Sequence, residues 1–105
     1  MTATETERKP PILDVRGAFL RRTDLSNANL ERANLARADF SNASLRGANF
    51  KDANLEGTVL KGADLTDARN LTLSQLAKAI VDETTTLPAH LSIKKLSEHR
   101  AHSSD

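Results

Sequence analysis

Ala28-Asn29-Leu30-Glu31-Arg32-Ala33-Asn34-Leu35-Ala36-Arg37-Ala38-Asp39-Phe40 states one pattern three times: a small residue, Asp or Asn, then Leu or Phe, with a step of five. The step holds without a slip at Leu20, Leu25, Leu30, Leu35, Phe40, Leu45, Phe50, Leu55, Leu60 and Leu65. Two residues before each stands Ala18, Thr23, Ala28, Ala33, Ala38, Ala43, Ala48, Ala53, Thr58 or Ala63. Phe19, Ser44 and Val59 replace the Asp or Asn between them. A looser unit, Leu13-Asp14-Val15, extends the pattern upstream.

A fixed short period is read first, because it decides the architecture. Five matches neither the helical 3.6 nor the strand period of two. Leucines every five residues on an α-helix would drift round its surface and make no stripe. A period of five works when each unit forms one side of a coil and turns a corner before the next. One large and one small residue per unit then point inward, and the others face out or shape the corner.

The units Ala28-Asn29-Leu30, Ala33-Asn34-Leu35, Ala38-Asp39-Phe40, Ala48-Asn49-Phe50, Ala53-Asn54-Leu55 and Ala63-Asp64-Leu65 resemble the motif of the pentapeptide-repeat family, Ala-Asp/Asn-Leu-x-x. The resemblance covers roughly half the chain. It implies an all-β solenoid, a right-handed quadrilateral β-helix with four units per coil and under three coils here. Residues twenty apart should then stack: Val15, Leu35 and Leu55 in one column, Leu20, Phe40 and Leu60 in the next. Leu25, Leu45 and Leu65 follow, then Leu30 with Phe50. At a ladder spacing of about 4.8 Å the rod is only ~13 Å tall. So short a solenoid depends on its caps, and often on a partner.

At 105 residues the chain is one domain. Its formal net charge of +1 gives no pull towards nucleic acid or acidic substrates. Cysteine is absent, so no disulfide or thiolate metal site forms. The start Met1-Thr2-Ala3-Thr4-Glu5-Thr6-Glu7 has no apolar signal-peptide core, and no run approaches the ~20 apolar residues of a membrane span. The default expectation is a soluble cytoplasmic protein that does not enter a membrane.

Four segments follow. Residues 1–12 are a polar lead, in which Pro10 and Pro11 either protect the open upper end of the solenoid or simply link into it. Residues 13–68 are the β-helix. Residues 69–88 hold a C-terminal capping helix and a turn: Thr72 is the expected N-cap, Gln75 completes a capping box, and Leu71 and Leu76 form a staple. Leu73, Leu76 and Ile80 give that helix its apolar side over about 73–82 or 83, before Thr84, Thr85, Thr86 and Leu87-Pro88. The resemblance adds that in some family members a C-terminal helix forms a homodimer. Residues 89–105 read as a polar tail. His99 and His102 are spaced to share a metal on a helix, but no third ligand is near, so no metal site is expected.

A catalytic site needs a nucleophile, acid or base in a pocket. The repeat interior is Leu, Phe and Ala, all three histidines lie outside it, and Gly17, Gly47, Gly57 and Gly62 sit at corners rather than in a phosphate loop. No enzyme activity and no cofactor are expected. Some members of the family act as DNA mimics on DNA gyrase or related topoisomerases through a continuous acidic surface. Eight acids balance eight bases between Leu13 and Ala68, which makes this chain a weak match for that role. The expected function is a protein–protein interaction or scaffold module with an unidentified protein partner. Phe19 and Val59 are apolar residues in one outward column, with Arg21, Arg22 and Lys61 on the same face, which should be locally basic. Phe19 alternatively lies beneath the N-terminal lead. Asp24, Asp64 and Asp67 against Arg46 mark the expected opposite face. Direct nucleic-acid binding is disfavoured, because the cations are few and no aromatic platform interleaves them.

Overall fold

The computed structural model describes residues 13–91. Four sides recur. The first carries the parallel bridges Asp14–Asn34–Asn54, and the second Phe19–Asp39–Val59. The third carries Asp24–Ser44–Asp64, and the fourth Asn29–Asn49–Arg69. Every step in these columns is twenty residues, so four five-residue units bring the chain back over itself. Each side contributes one bridging residue, not a long strand. The bridging residue both gives and takes: Asn54 donates its amide to the Ala33 carbonyl at 2.9 Å, and its own carbonyl accepts from the Leu35 amide at 3.0 Å.

The corners explain the Asp/Asn column. The second residue after each Leu or Phe has a left-handed backbone, at Arg22, Asn27, Arg32, Arg37, Asn42, Asp52 and Asp67 as well as at all four glycines. That conformation strains a side-chain-bearing residue by about 1 kcal/mol or more. The Asx side chain offsets it by accepting the amide two residues on. Asn34 accepts from Ala36 at 3.2 Å, Asn54 from Glu56 at 3.0 Å, Asp39 from Ser41 at 3.0 Å and Asp64 from Thr66 at 3.0 Å. Where Ser or Thr follows at that position, its hydroxyl donates to the same oxygen, as Ser26 does to Asp24 and Ser41 to Asp39.

These donors hold the carboxyl groups of Asp24, Asp39 and Asp64 below the ordinary value of 3.8, the hydroxyls contributing most. A lowered folded-state pKa stabilises the fold fully above the ordinary value, and that stabilisation is lost as pH falls through the folded value. Melting temperature should therefore be flat near neutrality and fall below about pH 4. Asn keeps the acceptor and removes the charge, as Asn29, Asn34, Asn49 and Asn54 do already. A triple Asp24→Asn, Asp39→Asn, Asp64→Asn variant should lose much of that acid limb in a circular dichroism melt between pH 7 and pH 2.5. An acid limb as steep as that of the unchanged chain would refute the assignment.

Down the axis, Leu30, Leu35, Phe40, Leu45, Phe50, Leu55, Leu60 and Leu65 are all at most 2% exposed, and the alanines between them are buried. Thr58 takes an alanine place by turning its hydroxyl onto the Leu35 carbonyl at 2.7 Å, which satisfies its one polar atom in the core. Leu20 and Leu25, like Val15, are only partly buried, because they belong to the uppermost described turn.

The lower end differs from the sequence reading. The ladder runs through Ala68 and Arg69, and Asn70 is an inserted left-handed residue. Leu71 then drops into the core at 3% exposure. The helix α1 spans Leu73–Lys78, six residues, and not the ten or eleven expected. It has the expected capping box: Thr72 Oγ1 accepts the Gln75 amide at 3.1 Å, and Gln75 Oε1 accepts the Thr72 amide at 2.9 Å. Gln75 Nε2 also donates to the Phe50 and Ala53 carbonyls, at 2.7 and 3.1 Å.

Ala79 ends the helix in an extended conformation, and the chain rejoins the solenoid. Ile80 bridges Val59 and Thr86 bridges Asp64, extending the second and third sides. Ile80 is therefore a ladder residue, not part of the apolar side of a helix. β-Branched Ile80 and Val81 lose little by leaving a helix and gain two ladder bonds. Leu76 is fully buried in this chain's own core, and Leu73 is half-buried.

Candidate functional site

The second side departs most from the repeat. Its outward column reads Phe19, Asp39, Val59, Ile80 from top to bottom. Phe19 is 87% exposed and Ile80 43%, while Val59 is half-buried. Having no side-chain oxygen, Phe19 and Val59 leave the corner amides of Arg21 and Lys61 without the bond that Asp39 supplies one coil between them. The two losses fall on the same side.

The charges here alternate instead of forming a basic patch. Arg21 Nε lies 3.9 Å from Asp39 Oδ2. Lys61 faces Asp82, whose carboxyl is held below the usual range first by the Thr84 hydroxyl and amide, then by the Lys61 charge and the Gly62 amide. Arg22 sits exposed at a left-handed corner with no ion pair among the described residues. The expected basic face is thus corrected: Asp39 stands one coil beneath Phe19, within reach of Arg21, and the register of Val59 with Ile80 sets Asp82 beneath Lys61.

The acidic column is displaced too. Asp24 and Asp64 lie on the third side, adjacent to the Phe19 side and not opposite it, because one unit is a quarter-turn and opposition takes two. Arg46 Nη1 reaches Asp64 Oδ2 at 3.1 Å on that side. Asp67 occupies the next corner.

An open cleft at a lower corner is lined by Lys51, Asp52, Ala53, Asn70, Thr72 and Gln75. Its two side-chain amides are engaged, Gln75 with the Thr72 amide and the Phe50 and Ala53 carbonyls, and Asn70 by donating its Nδ2 to Asn49 Oδ1 at 2.8 Å. His90 Nε2 lies 3.3 Å from the Leu71 carbonyl. Among the described residues no three His, Asp or Glu side chains gather as a metal would require, and no helix is long and apolar enough to cross a membrane. His99, His102, Pro10 and Pro11 lie outside the described residues.

Sequence reasoning missed the segment 79–87. Its signal was present: Ala79-Ile80-Val81 and Thr85-Thr86-Leu87 are both small–x–apolar, six residues apart instead of five. Thr85 plays the part of Thr58, donating its buried hydroxyl to the Leu60 carbonyl at 2.7 Å. Asp82 repeats the Asx corner by accepting the Thr84 amide at 2.9 Å.

The family model for pentapeptide repeats matches in eight copies, over residues 14–42, 33–75 and 43–84. Comparison with curated protein sequences finds no match. Among solved structures, the chain is similar to a pentapeptide repeat protein, Rfr23, from the cyanobacterium Cyanothece 51142. The identity is 32%, the TM-score 0.64, and the match covers 73% of this chain and 52% of that one. It is also similar in fold to QnrB1, a plasmid-mediated fluoroquinolone resistance protein, at 20% identity and a TM-score of 0.63, covering 88% of this chain and 43% of that one. The chain thus spans about half the length of the solved relatives it matches. Eight repeat copies, twenty-residue bridge columns and these neighbours give one conclusion: the chain belongs to the pentapeptide-repeat family and folds as a right-handed β-helix solenoid.

Proposed function

We propose that the chain is a non-catalytic protein-binding module. It is a rod of fewer than three repeat coils, closed below by α1 and the extended segment after it. Its partner contact is the second side, through Phe19 and Val59 with Arg21, Arg22 and Lys61. One observation carries the reading. Phe19 is 87% exposed at a position where Asp would supply a corner bond. An aromatic side chain left in water in place of a structural acceptor adds nothing to this fold, whereas aromatic anchors dominate protein interfaces.

The test separates folding from binding. Phe19→Asp restores the corner acceptor and should raise stability by about 0.5–1 kcal/mol, read as a higher melting temperature. The same variant should lose the protein that the unchanged chain retains from extracts of its own cells in a quantitative pull-down. A variant that melts lower and retains the same protein would refute the site. Equal inhibition of DNA supercoiling by both forms would overturn the reading in favour of duplex mimicry.

A further inference from the structure

Each level of the second side carries one outward residue and a corner on either flank. The outward residues are Phe19, Asp39, Val59 and Ile80, from the first level to the fourth. On the flank towards the first side, Arg37 stands at the second level, Glu56 at the third and Lys78 at the fourth. The ladder fixes these heights: the Arg37 amide meets the Glu56 carbonyl and the Gly57 amide the Lys78 carbonyl, each at 2.8 Å. On the flank towards the third side, Arg21 and Arg22 stand at the first level, Ser41 and Asn42 at the second and Lys61 at the third. Here the Arg22 amide meets the Ser41 carbonyl and the Asn42 amide the Lys61 carbonyl, both at 2.9 Å. Asp82, close to Lys61 and the Gly62 amide, opens the fourth level, and Glu83 follows it. This flank therefore runs from cationic at the top to anionic at the bottom, while on the other flank Arg37 stands above Glu56.

Turned end over end about an axis across the face, midway between Asp39 and Val59, the pattern fits itself. The turn exchanges the first level with the fourth and the second with the third. Phe19, 87% exposed, then meets Ile80, 43% exposed, at both ends of the face. Arg21 and Arg22 meet Asp82 and Glu83, and Arg37 meets Glu56. Asp39 meets Val59, with Lys61 on the flank beside it. Arg16 faces Lys78, but Arg16 carries its own Asp14 carboxylate 3.0 Å from its Nε. An axis along the rod gives the reverse. Asp39 would fall on Asp39, and Arg16 on Arg21 and Arg22, like charges that oppose the contact.

We infer that the second side is an interface with a second copy of this chain, the two rods lying side against side and antiparallel. The second copy is then the partner of the protein-binding side, and the inference rests on that reading. A patch that complements itself under a two-fold axis is what such a pairing requires. The face is small. Four levels about 4.8 Å apart with their flanking side chains offer roughly 400 Å² per copy, half of the ~800 Å² per partner in a stable complex. Association is accordingly weak, with a dissociation constant on the order of 0.1 mM.

Sedimentation equilibrium of the full chain tests it from about 1 µM to about 1 mM. The average mass should rise from that of one chain towards that of two. Arg22→Asp alone and Glu83→Arg alone should each raise the dissociation constant at least ~tenfold at low salt. The two changes together should restore it, because each copy then offers the swapped pair to the other. Aspartate tolerates the left-handed backbone that Arg22 holds at φ 61°. The chain has no cysteine, so a Phe19→Cys, Ile80→Cys variant reports the register. Within one chain these positions are three ladder steps, about 14 Å, apart, too far for an internal disulfide. On mild oxidation the variant should give a covalent dimer, and Phe19→Cys alone should not.

A mass that stays at one chain up to the highest concentration would refute the pairing. Retention of a different protein through Phe19 would then leave the protein-binding reading standing, and retention of none would overturn both. Association untouched by either charge reversal would move the contact to another face and overturn the proposal. Cross-linking of Phe19→Cys alone as readily as of the pair would overturn the antiparallel arrangement.

Discussion

Leu35→Asp should leave no folded protein at 25 °C. Leu35 is 1% exposed in the column between Val15 and Leu55; its own amide and carbonyl are used in the ladder, and the Thr58 hydroxyl is already spent on that carbonyl. A carboxylate there has no cation to pair with and no water to reach. Burying such a charge costs several kcal/mol even after relaxation. Protonation to escape the charge still leaves a hydroxyl and a carbonyl without partners. Folded domains are stable by only about 5–15 kcal/mol, and a rod this short sits towards the lower end. Loss of the leucine packing adds roughly 2–5 kcal/mol for truncating a buried large side chain. The two effects together exceed what the fold can spare. Circular dichroism should show loss of the β signal and no cooperative melt. Leu35→Met conserves volume and should cost less than about 1.5 kcal/mol. An aspartate variant with the unchanged spectrum and melting temperature would mean that the column does not face the axis.

The repeat was legible because three independent constraints sit in one five-residue unit. Leu or Phe fills the axis, Ala or Thr lets the wall close behind it, and Asx ties the corner. Each is a local choice that agrees with the global coil, and such agreement is what makes a fold readable. Phe19 and Val59 were visible as exceptions for the same reason. The charges around them were harder to read. Arg21 and Lys61 appear as unopposed cations along the sequence, and only the twenty-one-residue step from Lys61 to Asp82 brings the second carboxylate beneath its cation. That step depends on the inserted Asn70 and on where α1 stops. Helix ends are poorly fixed by short-range signals when a β-branched run follows, because the ladder above competes for the same amides. Ile80 left the helix for Thr58 and Leu60, bonds that lie twenty or more residues away.

Deleting residues 71–105 should turn a well-behaved protein into one that associates. The segment does three things at the lower end. Its backbone takes the amides of Gly57, Leu60 and Leu65 through the carbonyls of Lys78, Ile80 and Thr86, at 2.8, 2.8 and 2.7 Å. The Gln75 amide group closes the Phe50 and Ala53 carbonyls. Leu71, Leu76 and Ala79 join the apolar cluster that contains Leu60 and Leu65, both of which are now 0% exposed. Deletion bares all of these at once. Loss of these three backbone bonds and the two from Gln75, at about 1 kcal/mol each, and of the buried leucines exceeds what a small solenoid can lose while staying fully folded. Molecules that do fold then present a flat parallel edge over an apolar core, the geometry that templates pairing with another chain. Size-exclusion chromatography with light scattering should show species larger than the full chain gives at equal concentration, together with a lower melting temperature. Gln75→Ala tests the same end without exposing the edge: it should lower stability by roughly 2–4 kcal/mol, because two carbonyls and the Thr72 amide lose their partner, but should not provoke association. A truncated chain as monodisperse and as stable as the full one would show that the lower end does not need its cover. Association caused by Gln75→Ala alone would trace the effect to partial unfolding rather than to the exposed ladder.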